Sequence, residues 1–306
     1  MGSPAAVQQG GDANTAHADW VAAGAGVLTL LGTNLVYYLA IESSLAHGLG
    51  FFAVALLLYL WWRWRTPLLA AAREHWWHWL VLGLIVGLAA CVRWQLLAVG
   101  LIVPGIDVLA ALVQQRSLLA WRNVGLVALG TLVGVAPQLI GWKLLYGSWL
   151  IVPQGTGFLD WRSPHFFEVL GSNRHGLLTW TPLALIALVG LLVAAARATK
   201  SRWTAALYAL AILLTQTYIN GAALEWWGGD AFGARRFTDV ASVLALGLAL
   251  LLVAARRRWQ RWVLVVLCAL LVLANLGLMQ LYRLGRTPRS EPVRLLQVLN
   301  ALGLKN

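Results

Sequence analysis

Residues 226–239 read WWGGDAFGARRFTD and separate two long apolar runs. This stretch combines paired tryptophans, flexible glycines, two acids and the adjacent arginines Arg235 and Arg236. Because the flanking runs are too long for a soluble core, we expect the stretch to lie at a membrane face. A helix is predicted to begin near Val240, and the free N–H groups of a helix N-terminus attract anions, phosphate above all. The stretch therefore predicts a site for a phosphate-bearing lipid.

The composition of the whole chain indicates a membrane protein with many spans. Hydrophobic residues make up 60% of the 306 residues and charged residues 11%, and there are 18 tryptophans. A bilayer core about 30 Å thick needs roughly 20 apolar residues for each spanning helix. Nine apolar runs are 20–40, 49–60, 79–94, 95–113, 124–145, 182–196, 203–219, 240–255 and 262–281. We predict an all-α polytopic membrane protein with about nine transmembrane helices.

The runs divide the chain into three parts. Residues 1–19 have no Lys or Arg and no apolar periodicity, so we expect a disordered leader. Residues 20–281 form the transmembrane domain, with long outer loops at 146–181 and 220–239, and residues 282–306 form a tail. Loops as long as 146–181 are usually functional or disordered in compact proteins.

The basic residues predict which loops face the cytoplasm. Although the net charge is +12, Lys and Arg occur in short clusters between apolar runs, a pattern typical of membrane topology and not of nucleic-acid binding. With the N-terminus inside, every short basic loop falls on the inner side. The inner basic residues are then Arg63, Arg65, Arg73, Arg116, Arg122, Arg197, Lys200, Arg202, Arg256, Arg257, Arg258 and Arg261.

Polar and ionisable residues on the predicted outer face fall into four clusters. They are Glu42 with His47; Arg93 with Gln95; Asn173, Arg174 and His175; and Glu225, Asp230, Arg235, Arg236 and Asp239. An unpaired charge in lipid costs at least about 2.5–3.5 kcal/mol, so such residues often mark function, although a lone one can also be a satisfied interfacial side chain. Glu42 and His47 could contribute to a divalent-metal site, but two ligands without a third make a weak one.

Several motifs resemble those of the GT-C superfamily of polytopic glycosyltransferases, which includes protein O-mannosyltransferases and lipid A aminoarabinose transferases. The motifs are GTNLVYY at 32–38 with IESS at 41–44 and His47, GLAACVRWQ at 87–95, SNRHGL at 172–177 before WTP at 180–182, and GARRF at 233–237. The resemblance covers residues 20–285. It implies a transferase of the bacterial inner membrane that takes a sugar from a polyprenyl-phosphate carrier and gives it to a glycan, lipid or protein acceptor on the periplasmic side.

The resemblance also implies roles for single residues. Arg236 beside Phe237 matches the basic–aromatic pair near the carrier phosphate, Arg93 matches the arginine that closes an earlier helix, and Arg235 is grouped with them. Family members carry their catalytic acid in a first outer loop that has no counterpart here, so the chain is expected to correspond to a C-terminal portion of such an enzyme. Glu42 and Asp230 are the outer acids expected to replace that base. Further substrate-site candidates are His47, Asn173, Arg174, His175, Glu225 and Trp227.

Two other classes of function remain open from the sequence. A non-catalytic membrane protein could use the same arginines to bind polyprenyl phosphate or to assist a partner transferase. A transporter is the third reading, but the sequence shows no inverted repeat, and Asp107 is the acid placed nearest to mid-membrane.

Overall fold

The computed structural model describes residues 4–69, 75–115, 118–152, 154–155, 157–197 and 200–294, and this part of the chain is helical. The α-helices are α1 (Pro4–Gly32), α2 (Leu35–Ala40), α3 (His47–Leu69), α4 (Trp76–Val92), α5 (Leu96–Gln115), α6 (Leu118–Tyr146), α7 (Phe166–Gly171), α8 (Leu177–Trp180), α9 (Leu183–Arg197), α10 (Lys200–Ala222), α11 (Ala241–Ala254) and α12 (Arg258–Arg283). A 3₁₀ helix, Arg235–Val240, leads into α11. Within the described ranges β structure is limited to an isolated bridge between Leu159 and Ala223, and the all-α prediction is confirmed.

By length and composition, four helices of the described chain could cross a membrane. They are Trp121–Tyr146, Thr204–Ala222, Arg235–Ala254 and Arg258–Arg283. Shorter apolar helices are Ala18–Gly32, Trp76–Val92, Leu96–Asp107 and Leu183–Arg197. In the spans of α6 and α12 only 17% of the most apolar window is buried within the protein. Apolar faces left uncovered on this scale suit contact with lipid, so the chain is membrane-associated.

The first helix differs from the first predicted run at both ends. It begins at Pro4, so the segment expected to be a disordered leader is helical from that residue onward, in keeping with its Ala and Gln content. It ends at Gly32, inside the predicted run, because the Thr33 hydroxyl accepts a hydrogen bond from the Leu35 N–H at 3.1 Å and starts α2. The Asn275 amide of α12 donates to the carbonyl oxygens of Leu31 at 2.9 Å and Thr33 at 3.0 Å. The freed carbonyls at this break are therefore satisfied.

Helices α4 and α6 pack closely through glycines spaced four residues apart. A Cβ atom at Gly83 or Gly87 of α4 would collide with the carbonyl oxygen of Val127 or Thr131 of α6. A Cβ at Gly130 or Gly134 of α6 would in turn collide with backbone atoms of α4. Small residues at this spacing let two membrane helices bring their backbones together.

Asp107 is paired within the helix bundle. The Arg65 guanidinium of α3 donates from Nε to Asp107 Oδ2 at 2.5 Å and from Nη2 to Oδ1 at 2.9 Å. Two parallel hydrogen bonds of this kind hold a carboxylate firmly, so Asp107 joins α3 to α5. Arg65 was expected in an inner loop and instead lies within α3. Arg73 and Arg116, also predicted for the inner loops, lie outside the described residues.

The long loop 146–181 contains α7 and α8 and is joined to the loop that follows α10. Backbone hydrogen bonds run from Asp160 N to Ala222 O at 2.7 Å, from His165 N to Gly221 O at 2.9 Å and from Leu224 N to Phe158 O at 2.9 Å. The tail reaches the same region, since Val293 N donates to Asn173 O at 3.2 Å. The two loops and the start of the tail therefore lie at one end of the helices.

Candidate functional site

A buried ion-pair cluster joins three of the predicted outer groups. Asp239, at the end of the 3₁₀ helix, is 0% exposed, and its Oδ2 accepts a hydrogen bond from Arg93 Nη1 at 2.7 Å. His47, the first residue of α3, places Nδ1 3.2 Å from Asp239 Oδ1. Arg93 Nη2 also donates to Gln95 Oε1 at 3.3 Å. Gly50 makes room for this cluster, because a Cβ there would lie 2.7 Å from Asp239 Oδ1.

His47 Nδ1 faces two groups with opposite demands. It lies 2.7 Å from Arg93 Nη1, which can only donate, and 3.2 Å from an Asp239 oxygen, which as a carboxylate can only accept. A neutral imidazole with its proton on Nε2 accepts from Arg93, whereas one with its proton on Nδ1 donates to Asp239. The shorter distance to Arg93 favours the first form, in which Asp239 is held by Arg93.

Tyr38 fixes the loop 228–234 against α2. Its hydroxyl donates to the Phe232 carbonyl at 3.2 Å and accepts from the Phe232 N–H at 3.0 Å. Tyr38 and Phe232 are at most 1% exposed, and rings of Tyr37, Trp180 and Tyr282 pack around Phe232. The glycines of this loop adopt positive φ angles, 85° at Gly228 and 69° at Gly229, which favour glycine. The apolar packing and the turns together determine where the following arginines lie.

Arg235 and Arg236 line a cleft beside this loop. The cleft has an unfilled volume of about 210 Å³, which includes its open mouth. Its lining includes His175, Asn220, Trp226, Trp227, Arg235 and Arg236. Among the described residues neither arginine has a carboxylate within 4 Å, whereas Arg93 and Arg65 are both paired. The cleft therefore presents two cationic groups without a close acidic partner.

The sequence predicted that the arginines lie just ahead of a helix beginning near Val240, and they do precede α11, but the residues that join them to α11 are themselves helical. The arginines open the 3₁₀ helix, and α11 begins at Ala241, close to the predicted start. Their position is set by neighbours: the Gln216 amide of α10 donates to the Arg236 carbonyl at 2.6 Å, and the Arg236 guanidinium lies 5.8 Å from the Phe158 ring centroid. The side chains rather than helix N–H groups would meet an anion here.

Asn220 is a cleft residue that the sequence analysis missed. It is 1% exposed, and neither its Nδ2 nor its Oδ1 has a hydrogen-bond partner among the residues that the structure describes. The available signal was its spacing, since Gln216 and Asn220 are four residues apart in an apolar helix and so share one face. Two amides on one face of a spanning helix indicate that this face is turned away from lipid.

His175 links the long loop to the cleft in a strained conformation. Its φ of 60° is uncommon for a residue with a side chain. The ring Nδ1 bonds the Trp227 carbonyl at 2.9 Å, and the ring packs edge-on against Trp180 with centroids 4.8 Å apart. Burial lowers the pKa of His175 below its ordinary value; nearby Arg174 and Arg235 act in the same direction, and the bond to Trp227 opposes them. The folded protein thus favours a neutral His175.

The remaining predicted site residues lie around the cleft at different depths. Arg174 stacks on Trp227 with its guanidinium 3.7 Å from the ring centroid, and its Nε donates to the Ser290 carbonyl of the tail at 2.5 Å. Glu225 and Arg235 flank Gly229, with Glu225 Oε2 and Arg235 Nη2 each 3.9 Å from the place of a Cβ there. Glu42 is half-buried in the turn after α2, and Asp230 and Asn173 are exposed. Neither of the two acids predicted to be catalytic lines the cleft.

No metal centre is built by the part of the chain that the structure describes, because no three His, Cys, Asp or Glu side chains there are close enough to hold an ion. The predicted pair of Glu42 and His47 does not form, since His47 turns to Arg93 and Asp239.

The arrangement can bind an anion and orient a polar group beside it. The two arginines supply the charge, Asn220 supplies an unpaired donor and an unpaired acceptor, and the tryptophans supply apolar walls. Comparisons of the chain with protein-family models, with curated proteins and with solved structures gave no match.

Proposed function

We propose that this protein is a membrane glycosyltransferase of the GT-C type, which transfers a sugar from a polyprenyl-phosphate donor to an acceptor on the outer side. The proposal depends most on one observation. Arg235 and Arg236 line a cleft, and in the described chain no carboxylate lies within 4 Å of either arginine side chain. An arginine fork binds phosphate through charge-assisted hydrogen bonds, and a cleft at a membrane face suits a lipid-borne phosphate. Arg93, expected to share this role, is engaged with Asp239 and so acts in holding the cleft together.

The proposed reaction requires a site where negative charge grows. An oxygen of the acceptor attacks the anomeric carbon of the sugar, and the bond from that carbon to the phosphate oxygen breaks. The electron pair leaves with the lipid phosphate, where Arg235 and Arg236 stabilise it, and the acceptor proton passes to a carboxylate. Glu225, which flanks Gly229 together with Arg235, is one candidate for that carboxylate, and Glu42 and Asp230 are further candidates.

The proposed topology has nine membrane spans with the N-terminus inside. The spans are α1, α3 to α6 and α9 to α12, each of which overlaps one of the predicted apolar runs. The supporting pattern is that short basic loops fall on one side and the cleft with its adjoining loops on the other. A bacterial inner membrane, with the cleft on its periplasmic side, is the setting that fits a polyprenyl-phosphate donor.

A non-catalytic protein that binds polyprenyl phosphate or assists a partner transferase is the second candidate. The observation that favours it concerns where three of the acidic residues lie and what they contact. Asp239, the buried acid closest in sequence to the arginines, is held by Arg93, while Glu42 and Asp230 lie off the cleft. A protein that only binds the carrier needs no free base.

The test is sugar transfer in proteoliposomes from a panel of radiolabelled polyprenyl-phosphate sugars. Arg236→Ala is expected to abolish transfer, whereas Arg162→Ala, which changes an exposed arginine of the long loop, is expected to leave it unchanged. Glu225→Gln, Glu42→Gln and Asp230→Asn then identify the base by which of them loses turnover with donor binding intact.

Binding of the labelled donor separates the two candidates. Donor that is bound in an Arg236-dependent way but never consumed would favour the non-catalytic protein. If no donor is consumed and no donor binds in an Arg236-dependent way, both candidates are contradicted.

A further inference from the structure

The connection between α11 and α12 carries a dense and exposed basic cluster. Helix α11 ends at Ala254 and α12 begins at Arg258, so the cluster occupies the connection and the first turn of α12. The cluster lies at the opposite end of α11 from Asp239 and therefore away from the cleft. It consists of four exposed residues, Arg256, Arg257, Arg258 and Arg261.

The described part of the chain supplies no close counter-charge to the basic cluster. No Asp or Glu carboxylate there lies within 4 Å of its guanidinium groups, and the first turn of α12 has no acid. Arg261 is oriented by the backbone, since its Nε donates to the Ala255 carbonyl at 2.8 Å. Like charges at neighbouring positions repel one another, so an anion from outside the chain would stabilise this arrangement.

A second element brings another arginine to the same end of the bundle. Helices α9 and α11 run in the same direction, because a Cβ at Gly247 of α11 would collide with the Ala187 carbonyl of α9, and a Cβ at Gly190 would lie 3.0 Å from a Leu251 side-chain carbon. Helix α9 ends at Arg197, which is exposed. The C-terminal ends of both helices therefore carry exposed arginines side by side.

An uncovered apolar stripe leads away from the basic cluster along α12. In the most apolar window of this helix only 17% is buried within the protein. At about 100° per residue, the exposed apolar side chains of the stripe fall within roughly one third of the helix circumference. They are Trp259, Trp262, Val263, Val266, Leu270 and Leu273. Tryptophan is typical of the membrane interface, so the two at the start of the stripe place the arginines at the level of the lipid headgroups.

This combination of groups matches a phospholipid better than a soluble anion. A guanidinium group binds phosphate through two parallel hydrogen bonds, and an apolar stripe a few residues further along accommodates acyl chains. Basic clusters next to a spanning helix attract anionic lipids in this way. A nucleic acid or an acidic protein would neutralise the arginines but would leave the tryptophans and the stripe uncovered.

We propose that the basic cluster is a headgroup site for an anionic phospholipid of the surrounding bilayer, with the acyl chains of the lipid lying along the α12 stripe. The site is at the other end of the bundle from the cleft, so the proposal goes beyond the proposed function and does not depend on it. The bound phosphate neutralises the arginines where α9, α11 and α12 meet and so joins these helix ends through the lipid.

The experiment measures which phospholipid lies next to the cluster. Cys91 and Cys268 are replaced by alanine, and a fluorophore is attached to a cysteine at exposed Ala254. The protein is reconstituted in phosphatidylcholine that contains phosphatidylglycerol or phosphatidylcholine with a nitroxide near the headgroup. Nitroxide-labelled phosphatidylglycerol is expected to quench with an apparent association at least about threefold higher than labelled phosphatidylcholine, and high salt is expected to lower that ratio.

A charge-matched pair of variants tests whether the cluster causes the preference. Arg256→Gln/Arg257→Gln/Arg258→Gln is expected to bring the ratio close to one. Because the three side chains are exposed, this variant is expected to melt in detergent within a few degrees of the wild type. The control removes three positive charges from other exposed positions and is expected to keep the ratio. It is Lys143→Gln/Arg162→Gln/Arg283→Gln.

The outcomes separate a lipid site from a general effect of net charge. A wild type quenched equally by the two lipids overturns the proposal, as does a cluster variant that keeps the wild-type ratio. A control that loses the preference as fully as the cluster variant shows that net charge alone attracts the lipid, which also overturns the proposed site. None of these results depends on sugar transfer, so the proposed function stands or falls separately.

Discussion

At the scale of single residues, Asp239 is the acid on which the site depends most. Its carboxylate is fully buried and connects Arg93, between α4 and α5, with His47 at the start of α3. Removing one partner of a buried ion pair leaves an uncompensated charge and costs roughly 3–5 kcal/mol, whereas replacing both with apolar groups is often neutral or stabilising. The pair thus constrains which substitutions the protein can accept.

We predict that Asp239→Leu lowers the free energy of unfolding by roughly 3–5 kcal/mol, because the Arg93 guanidinium then stays buried without a counter-charge. The double variant Asp239→Leu/Arg93→Met is expected to recover most of that loss. Melting temperature in detergent is the measurement, and Asp230→Asn, which changes an exposed acid of the same loop, is the control. A double variant no more stable than Asp239→Leu would contradict the role assigned to the pair.

At the scale of elements, glycines decide how closely α4 and α6 approach. Gly130 of α6 is buried, and a Cβ there would collide with the Leu80 carbonyl oxygen of α4. Gly125 lies on the same helix but is exposed, with nothing within 4 Å of a Cβ. The same amino acid therefore has a packing role at one position and none five residues earlier.

We predict opposite effects for the same substitution at these two glycines. Gly130→Ala is expected to destabilise the protein by about 1–3 kcal/mol, because the two backbones must move apart. Gly125→Ala is expected to stabilise it by up to about 1 kcal/mol through helix propensity. Melting temperatures of the two variants provide the test, and equal shifts in one direction would show that α4 and α6 do not pack in this way.

At the scale of the whole molecule, the tail shares an end of the bundle with the long loop. Hydrogen bonds from Val293 N to Asn173 O and from Arg174 Nε to Ser290 O join them. Arg256 and Arg257, which precede α12, lie at the C-terminal end of α11, whereas Asp239 lies at its N-terminal end. The proposed topology thus places four arginines on the same side as the cleft, although basic residues favour the inner side. They are Arg283, Arg286, Arg289 and Arg294.

We predict that cysteines introduced at Asp160 and Glu291 react with a membrane-impermeant maleimide from one side of the membrane, and a cysteine at Arg257 from the other. All three positions are exposed, and the native Cys91 and Cys268 are first replaced by alanine. The measurement compares the labelling of each cysteine in intact cells with its labelling in opened membranes. A Glu291 cysteine that labels together with the one at Arg257 would contradict the proposed placement of the tail.

Apolar content and helix periodicity are local properties, and the sequence alone predicted the helical class, the membrane association and the approximate position of most long helices. The arginine pair and the grouping of its loop with His47, Arg93 and His175 were also predicted, because charged residues are conspicuous among apolar runs. The nine-span topology, the donor and the roles of individual residues stay predictions.

Tertiary structure decided which of those residues face one another. Among the described residues a carboxylate lies within 4 Å of Arg93 but not of Arg235 or Arg236. The partner of Arg93 is Asp239, 146 positions away along the chain. The carbonyls freed at the break after Gly32 are satisfied by Asn275 of α12, and the contact of α4 with α6 depends on glycines aligned across two helices. Asn220 lies in an apolar run and becomes a site residue only because α10 turns it towards the arginines. Pairings between distant segments are set by packing of the whole chain, so no local pattern specifies them.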